Sequence, residues 1–208
     1  MSLDSAATAR LGIDSQTVFG MPPLEQIALA AELGCGHVSL ARMPPPWKLD
    51  RFPAWSLQDD LVLRRETKAA LRDTGMVLAL GEGFVIRSQI RDWAPEFDLM
   101  AELGARAVAS VCMEPDTGRA LDQLGFLSMM AAERDMLLFF EFAPPHTFNT
   151  LASAISAISV IDQPNVRLLL DAMHFFRTGS TIGELSAIDP KTIGHLQLSD
   201  APLSGDSG

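Results

Sequence analysis

The sequence of 208 residues lacks any apolar run close to the roughly 20 residues that a membrane-spanning helix needs. Its first residues, MSLDSAATARLG, also lack the basic stretch followed by an apolar stretch that marks a secretory signal. These two absences predict a cytoplasmic protein that has no membrane partner.

Cysteine is scarce. The chain has two, Cys35 and Cys112, and neither belongs to a CxxC pair. Both lie inside apolar segments, where a cysteine is more often a buried free thiol than a disulfide partner or a zinc ligand. Neither cysteine is therefore assigned to function.

Positive charge is also scarce. The chain has 16 lysines and arginines against 26 aspartates and glutamates, which gives a formal net charge of -10. Affinity for nucleic acid depends largely on cations that neutralise phosphates. The charge therefore argues against a nucleic-acid partner and favours a small molecule or a cation, while homo-oligomer formation stays open.

What the chain does contain is a repeated unit in which a helix is followed by a strand. The stretches AELGCGHVSL at 31–40 and AELGARAVAS at 101–110 share a helix end, a glycine, a short link and a β-prone run. Between the β-prone runs, apolar residues three and four apart predict amphipathic helices, for example after Pro22-Pro23 and after Thr147. The apolar runs predict seven strands: Leu11–Asp14, His37–Ala41, Met76–Leu80, Ala107–Met113, Met136–Phe142, Val166–Asp171 and Ile193–Ser199.

Strands that are almost wholly apolar and alternate with helices are typical of a parallel sheet with helices on its faces. A closed barrel and an open doubly wound sheet both satisfy this pattern. No GxGxxG motif follows the first strand, as it would in a dinucleotide-binding open sheet. We therefore predict an α/β protein of the (β/α)8 TIM-barrel type, with 1–208 as a single domain and seven recognisable strand-helix units.

Acidic and amide side chains gather at the carboxyl ends of the predicted strands, where a TIM barrel places its active site. MLLFFEF and RLLLDAMH each put a carboxylate, Glu141 or Asp171, at the end of a run that is otherwise too apolar to hold it. In GHLQLSD the two-residue alternation places His195, Gln197 and Ser199 on one face. Other acids at predicted strand ends are Asp14, Glu82, Glu114, Asp116 and Asp200.

Carboxylate and amide oxygens suit hard ions such as Mg2+ or Mn2+ better than ions that prefer thiolates. Glu141, Asp171 and Gln197, on three consecutive strands, are therefore the predicted metal ligands. His174, on the loop predicted after Asp171, is expected to reach a bound substrate. A competing interpretation is that Asp171 caps the following helix and that His174 and His195 are hydrogen-bonded structural histidines.

Four further residues have weaker assignments. Glu82 is predicted to contact substrate. Arg177 is a predicted substrate contact too, with a role at the surface or in a salt bridge as the alternative. His146, which follows Pro144-Pro145, is predicted to begin a helix, with a substrate contact as the alternative. His37, at the start of a strand, is predicted to be structural.

The stretches LFFEF, PNVRLLLDAMHFFRTG and IGHLQLSDAP resemble, in this order, the fifth-, sixth- and seventh-strand motifs of the xylose isomerase-like TIM barrels. This superfamily contains sugar isomerases and epimerases together with endonuclease IV. The resemblance is strongest over 136–202. It implies that Glu141 and Asp171 match metal ligands, that His174 matches the substrate-contacting histidine, and that Gln197 occupies the seventh-strand ligand position.

The resemblance implies a metal-dependent isomerase or epimerase that acts on a small sugar or polyhydroxy carbonyl compound through a metal-stabilised enediolate. Glu141 and His174 would be its catalytic residues. Many epimerases of the superfamily have histidine where this chain has Gln197, whereas glutamine there is similar to the 3-dehydroshikimate dehydratases. A dehydratase of the 3-dehydroshikimate or inosose type is therefore the alternative among enzymes.

The family closes its barrel with an eighth strand that carries a glutamate, and APLSGDSG, where this chain ends, is not expected to supply that strand. Either the sequence omits a C-terminal segment or the barrel is truncated, and the first is favoured because an open barrel would leave two strand edges and the core exposed. A barrel that binds a ligand without catalysis is for this reason a further alternative. An abasic-site endonuclease would need extra histidines on the early strands, and LALGEGF and VASVCMEPD contain none. The sequence argues against that activity.

Overall fold

The computed structural model describes residues 5–46, 50–87 and 92–199. Seven strands follow one another in chain order in one sheet. They are β1 (Gly12–Ile13), β2 (His37–Ala41), β3 (Val77–Ile86), β4 (Ala107–Cys112), β5 (Leu137–Glu141), β6 (Val166–Asp171) and β7 (Ile193–Gln197). All seven predicted strands are present.

Helices alternate with the strands along the chain. They are α1 (Ser5–Thr8), α2 (Pro23–Glu32), α3 (Leu61–Thr74), α4 (Ala94–Leu103), α5 (Thr117–Ala132), α6 (Leu151–Ile161), α7 (Ala172–Arg177) and α8 (Ile182–Ser186). Short 3-10 turns cover Ser15–Val18 and Pro190–Thr192. In the described part of the chain, no helix is both long enough and apolar enough to cross a membrane.

The two similar stretches of sequence end their helices in the same way. Gly34 follows α2 with φ +75, and Gly104 follows α4 with φ +82. A side chain is strained in this left-handed region, so glycine is the residue that can reverse the chain here. β2 and β4 then begin three residues after their glycine, which confirms the predicted helix-then-strand unit.

The chain forms two compact units. The first unit comprises Met1–Gly83, Trp93–Val108 and Arg134–Met136, and the second comprises Phe84–Asp92, Ala109–Glu133 and Leu137–Gly208. A single domain over 1–208 stays a prediction.

In the first unit, α2 is fixed across β1 and β2 by one buried side chain. β1 pairs with β2 and β2 pairs with β3, in both cases in parallel. The amide nitrogen of Gln26, a residue of α2, donates to the carbonyl oxygens of Ile13 and Ser39 at 3.0 and 2.9 Å. Gln26 is 2% exposed. Because a buried amide needs partners, these two bonds determine where α2 can lie.

β3 runs further than expected, to Ile86, so the prediction that Glu82 follows the third strand is wrong. Glycine often ends a strand, and Gly81 and Gly83 flank Glu82. At Gly81, however, the missing side chain leaves room for Met100, since an added Cβ would lie 2.6 Å from its Sδ. The strand therefore continues through a glycine that serves packing.

In the second unit, β5 pairs with β6 and β6 pairs with β7, again in parallel. The exposure of β7 alternates as predicted, because His195 and Gln197 are half-buried while Leu196 is 62% exposed. Leu198, which follows the strand, is 87% exposed. The polar face of β7 is thus the more buried of its two faces.

Two glycine-to-alanine substitutions should change stability in opposite directions. At Gly36 an added methyl group would collide with the backbone carbonyl of Ala9, so we expect the free energy of unfolding to fall by about 1–3 kcal/mol. Gly125 lies inside α5 with open space around it, so Gly125→Ala should raise the free energy by about 0.5–1 kcal/mol. Urea unfolding would measure both, and equal stabilities for the two variants would contradict this packing.

Candidate functional site

Three strands of the second unit end at the predicted metal ligands. Glu141, Asp171 and Gln197 are the last residues of β5, β6 and β7. Asp171 lies opposite Gln197 in the ladder, and Glu141 lies opposite Leu169. Because residues two apart on a strand share a face, the register places all three side chains on one face at the carboxyl end of these strands.

Asp171 is buried and has hydrogen-bond partners on both carboxylate oxygens. It is 5% exposed. Its Oδ1 accepts from the backbone N–H of His174 at 3.0 Å, which makes Asp171 the N-cap of α7. The hydroxyl of Ser199 lies 2.8 Å from Oδ1 and 2.6 Å from Oδ2. The capping interpretation is therefore confirmed, and metal binding stays compatible with it because a carboxylate has about four acceptor positions.

His174 lies in α7 and not on a loop, so that prediction is wrong. The cap at Asp171 starts the helix immediately after β6, which leaves no loop between them. The Nε2 atom of His174 is 3.6 Å from Oε1 of Glu141. The predicted substrate histidine and the predicted acid of β5 therefore face each other.

The imidazole of His174 is largely enclosed. Burial lowers its pKa, the charge of Asp171 opposes that shift, and the charge of Arg177 adds to it. Since an ordinary histidine pKa is about 6.5, the ring is neutral at pH 7. Its Nδ1 atom is buried without a hydrogen-bond partner in the part of the chain that the structure describes.

Arg177 and His195 have different surroundings. Arg177 is the exposed last residue of α7, and within the described ranges no salt bridge to it is found, so its predicted substrate contact stays a prediction. His195 stacks on Phe139, with 5.9 Å between ring centroids. That stacking agrees with a structural role for His195.

Other acids near strand ends have local partners. Glu114 is completely buried and accepts from Arg119 Nη2 at 2.7 Å and from the backbone N–H of Asp116 at 2.8 Å. The hydrogen bond from Arg119 holds the pKa of Glu114 below its ordinary value. Asp116 caps α5, and Asp14 caps the 3-10 turn at Ser15–Val18. These three acids are explained by local structure.

The remaining two acids at predicted strand ends are Glu82 and Asp200. Glu82 lies within β3 in the first unit, where its substrate contact stays a prediction. Asp200 lies outside the described residues.

His146 does not begin a helix, so that prediction is wrong. It closes a turn by donating its backbone N–H to the carbonyl of Ala143 at 2.9 Å, and α6 begins only after the cap at Thr150. Burial lowers the pKa of His146, and the charge of His174 lowers it further. Pro144-Pro145 was the sequence signal for a fixed turn at this point.

The predicted ligands carry the type of donor atom, oxygen, that hard divalent ions prefer. Among residues 5–46, 50–87 and 92–199, no group of three or more His, Cys, Asp or Glu side chains is arranged to hold a metal ion. The predicted ligand set falls outside this definition because one of its three donors is an amide. It combines the carboxylates of Glu141 and Asp171 with the amide oxygen of Gln197. Mg2+ often binds through one or two carboxylates and keeps several waters, so these donors suit it.

Over residues 27–208 the chain matches the family described as xylose isomerase-like TIM barrel. The chain belongs to this family. Membership confirms the resemblance of the strand motifs, and it confirms the TIM-barrel type of fold, with seven of its strands in the described residues. By sequence alone, no curated protein matches the chain.

Solved structures share this fold at low sequence identity. The IolI protein with a bound zinc atom has a TM-score of 0.74 and 20% identity, over 93% of this chain and 75% of that one. The 3-keto-D-glucoside 4-epimerase YcjR from E. coli, in its apo form, has a TM-score of 0.71 and 18% identity, over 92% and 79%. These values establish a common fold for the three chains.

Two further structures extend the range of relatives. The probable 3-DHS dehydratase AsbF from Bacillus anthracis, involved in petrobactin synthesis, has a TM-score of 0.68 and 15% identity, over 91% of this chain and 72% of that one. This chain also spans 32% of a xylose isomerase-like TIM barrel/4-hydroxyphenylpyruvate dioxygenase fusion protein, with a TM-score of 0.73 and 20% identity.

Substitutions at Asp171 should separate its capping role from any role of its charge. Asp171→Ala removes the acceptor for the N–H of His174 and should lower the free energy of unfolding by about 1 kcal/mol. Asp171→Asn keeps an oxygen in the same place, and asparagine is an equally good N-cap, so most of that loss should be avoided. Urea unfolding in EDTA would test this, and equal losses in the two variants would contradict a capping role.

Proposed function

We propose that the protein is a divalent-metal-dependent isomerase or epimerase of small sugars or related polyhydroxy carbonyl compounds. The observation that carries the proposal is the register of β5, β6 and β7, which ends in Glu141, Asp171 and Gln197 with His174 facing Glu141. Membership of the xylose isomerase-like family and the structural similarity to a sugar epimerase support it.

Glu141, Asp171 and Gln197 would hold the ion, for which Mn2+ or Mg2+ best fits three oxygen donors. When bound, the ion supplies positive charge that eases removal of a proton next to a substrate carbonyl. The zinc bound in IolI supports a divalent ion in this fold.

The chain's own residues would move the proton and hold the substrate. The side chain of Glu141 is 15% exposed, so it is partly desolvated yet open to a ligand. Its carboxylate would take the proton from the carbon beside the carbonyl, and the bonding electrons would pass into an enediolate. His174, as a neutral imidazole, would hydrogen-bond a substrate oxygen.

The return of the proton would decide the product. Delivery to the opposite face of the same carbon, by solvent or by an acid other than Glu141, inverts that carbon and yields an epimer. Delivery to the neighbouring carbon, with the carbonyl moved by one position, yields an isomer. Both outcomes need the same first step from Glu141, which is why one site supports either reaction.

A dehydratase is the second candidate, and Gln197 favours it. This glutamine lies opposite Asp171 at the end of β7. A glutamine at this position resembles the 3-dehydroshikimate dehydratases of the family. In that reaction the same proton is removed beside a carbon that carries a hydroxyl group, which then leaves as water. The product is a conjugated carbonyl compound that absorbs ultraviolet light, whereas an epimer does not.

Metal binding should depend on the proposed ligands. After equilibration with Mn2+ and removal of free ion, elemental analysis should find close to one ion per wild-type chain. Glu141→Gln and Asp171→Asn should each lose most of it, because an amide cannot offer the charged oxygen that the ion prefers. Asp116→Asn is the matched control, since Asp116 is exposed and caps α5, a role that asparagine retains. Metal content that both ligand variants retain would contradict the assignment.

Proton exchange should reveal the chemistry. With Mn2+ in D2O, we expect the wild-type protein to incorporate deuterium beside the carbonyl of D-fructose, D-psicose or a related ketose. Glu141→Gln should slow the exchange by about 100-fold or more, since general base catalysis contributes at least that much. Formation of an ultraviolet-absorbing product from 3-dehydroshikimate would favour the dehydratase. Tight ketose binding without exchange would favour a non-catalytic barrel.

A further inference from the structure

The loop between β5 and α6 is held firmly just after His146. Thr147 donates its backbone N–H to the carbonyl of Cys112 at 3.0 Å, and its hydroxyl donates to the carbonyl of Glu114. The next residue, Phe148, is 5% exposed. The backbone on this side of His146 is therefore fixed to the end of β4 and to the core of the second unit.

The turn on the other side of His146 is restricted as well. The carbonyl of Ala143 accepts the N–H of His146, and Pro144 and Pro145 occupy the two positions between them. The proline rings fix φ at both positions. A side chain carried on such a backbone has already lost much of the freedom that ligand binding would otherwise remove.

The side chain that this loop presents has an unsatisfied nitrogen. Nδ1 of His146 and Nδ1 of His174 are both buried, and neither has a hydrogen-bond partner in the ranges that the structure describes. Most buried polar atoms of native proteins are paired, and each exception calls for an explanation, of which a functional role is one. The two histidines follow the carboxyl ends of β5 and β6, which are neighbouring parallel strands, and a protonated His174 would lower the pKa of His146.

His37 provides a useful contrast. Its Nδ1 is likewise buried without a partner in the described residues. His37 is, however, the first residue of β2, whereas TIM barrels bind their ligands at the carboxyl ends of the strands. His146 follows the carboxyl end of β5, five residues after Glu141. An unpaired nitrogen at that end is placed to meet a ligand.

We propose that His146 contacts the substrate and that, with His174, it binds two neighbouring oxygens of a polyhydroxy carbonyl compound. The inference rests on the proposed function, from which it takes the substrate class. A neutral imidazole offers one N–H donor and one acceptor nitrogen, and a hydroxyl group can pair with either. His146 then helps to determine which arrangement of hydroxyl groups is accepted.

Histidine-selective NMR would test the contact directly, because the chain has 4 histidines. Protein labelled with 15N in its histidine rings, and loaded with Mg2+, would be titrated separately with D-fructose, D-psicose and 3-dehydroshikimate. Single His→Gln variants would assign the signals. We expect one compound to shift the ring signals of both His146 and His174 with a common Kd, while the signals of His37 stay in place.

Substitution would test its contribution. His146→Phe keeps an aromatic ring and removes both nitrogens, so it should raise the Kd of the bound compound by about 10-fold, the value expected for one lost hydrogen bond. His146→Gln should recover part of this loss because its amide has a donor and an acceptor. His37→Phe is the matched control and should leave Kd unchanged. A thermal unfolding curve for each variant would verify that it is folded.

The two proposals fail in different ways. If the wild type binds and turns over a compound that shifts the signals of His174 but not those of His146, or if His146→Phe keeps the wild-type Kd, the inference about His146 is overturned and the proposed function stands. If none of the three compounds shifts either ring or is turned over, the proposed function fails and the inference falls with it.

Discussion

The buried carboxylate of Asp171 links strand β6, helix α7 and the segment that follows β7. It ends the strand, accepts the backbone N–H of His174, and is within hydrogen-bonding distance of the Ser199 hydroxyl on both oxygens. Because the cap follows the strand without a loop, α7 starts at a fixed place and His174 lies in its first turn. That position brings its ring to Glu141. The position of the proposed substrate histidine therefore depends on the same side chain that is proposed to bind the ion.

Burial disfavours the protonated, positively charged form of the two histidines near the candidate site. His174 lies beside Glu141, and a protonated His174 would add positive charge there. Burial lowers the pKa of His146 and of His174, so both rings are uncharged at neutral pH. At neutral pH these imidazoles therefore add no positive charge beside the carboxylates, which is compatible with the divalent cation proposed above.

The sequence was sufficient to predict what depends on local pattern. Apolar runs located all seven strands, and a carboxylate inside such a run identified Glu141 and Asp171 as unusual. The errors arose where distant packing decides the outcome. β3 passes through Gly81, where an added Cβ would meet Met100, and α6 begins only after the cap at Thr150, so that His146 lies on a turn. The packing around Gly81 and the position of a helix cap nine residues beyond the end of β5 cannot be inferred from the apolar spacing alone.

The contrast between Glu114 and Glu141 explains why an acid at a strand end is insufficient to define a site. Glu141 ends an apolar strand and Glu114 follows one, and Glu114 is the more deeply buried of the two. Arg119, five residues later, supplies Glu114 with a cation at 2.7 Å, so its charge is balanced within its own segment. Glu141 instead faces His174, which burial keeps neutral. Glu114 therefore has its compensating cation within its own segment, whereas the surroundings of Glu141 are compatible with the ion proposed above.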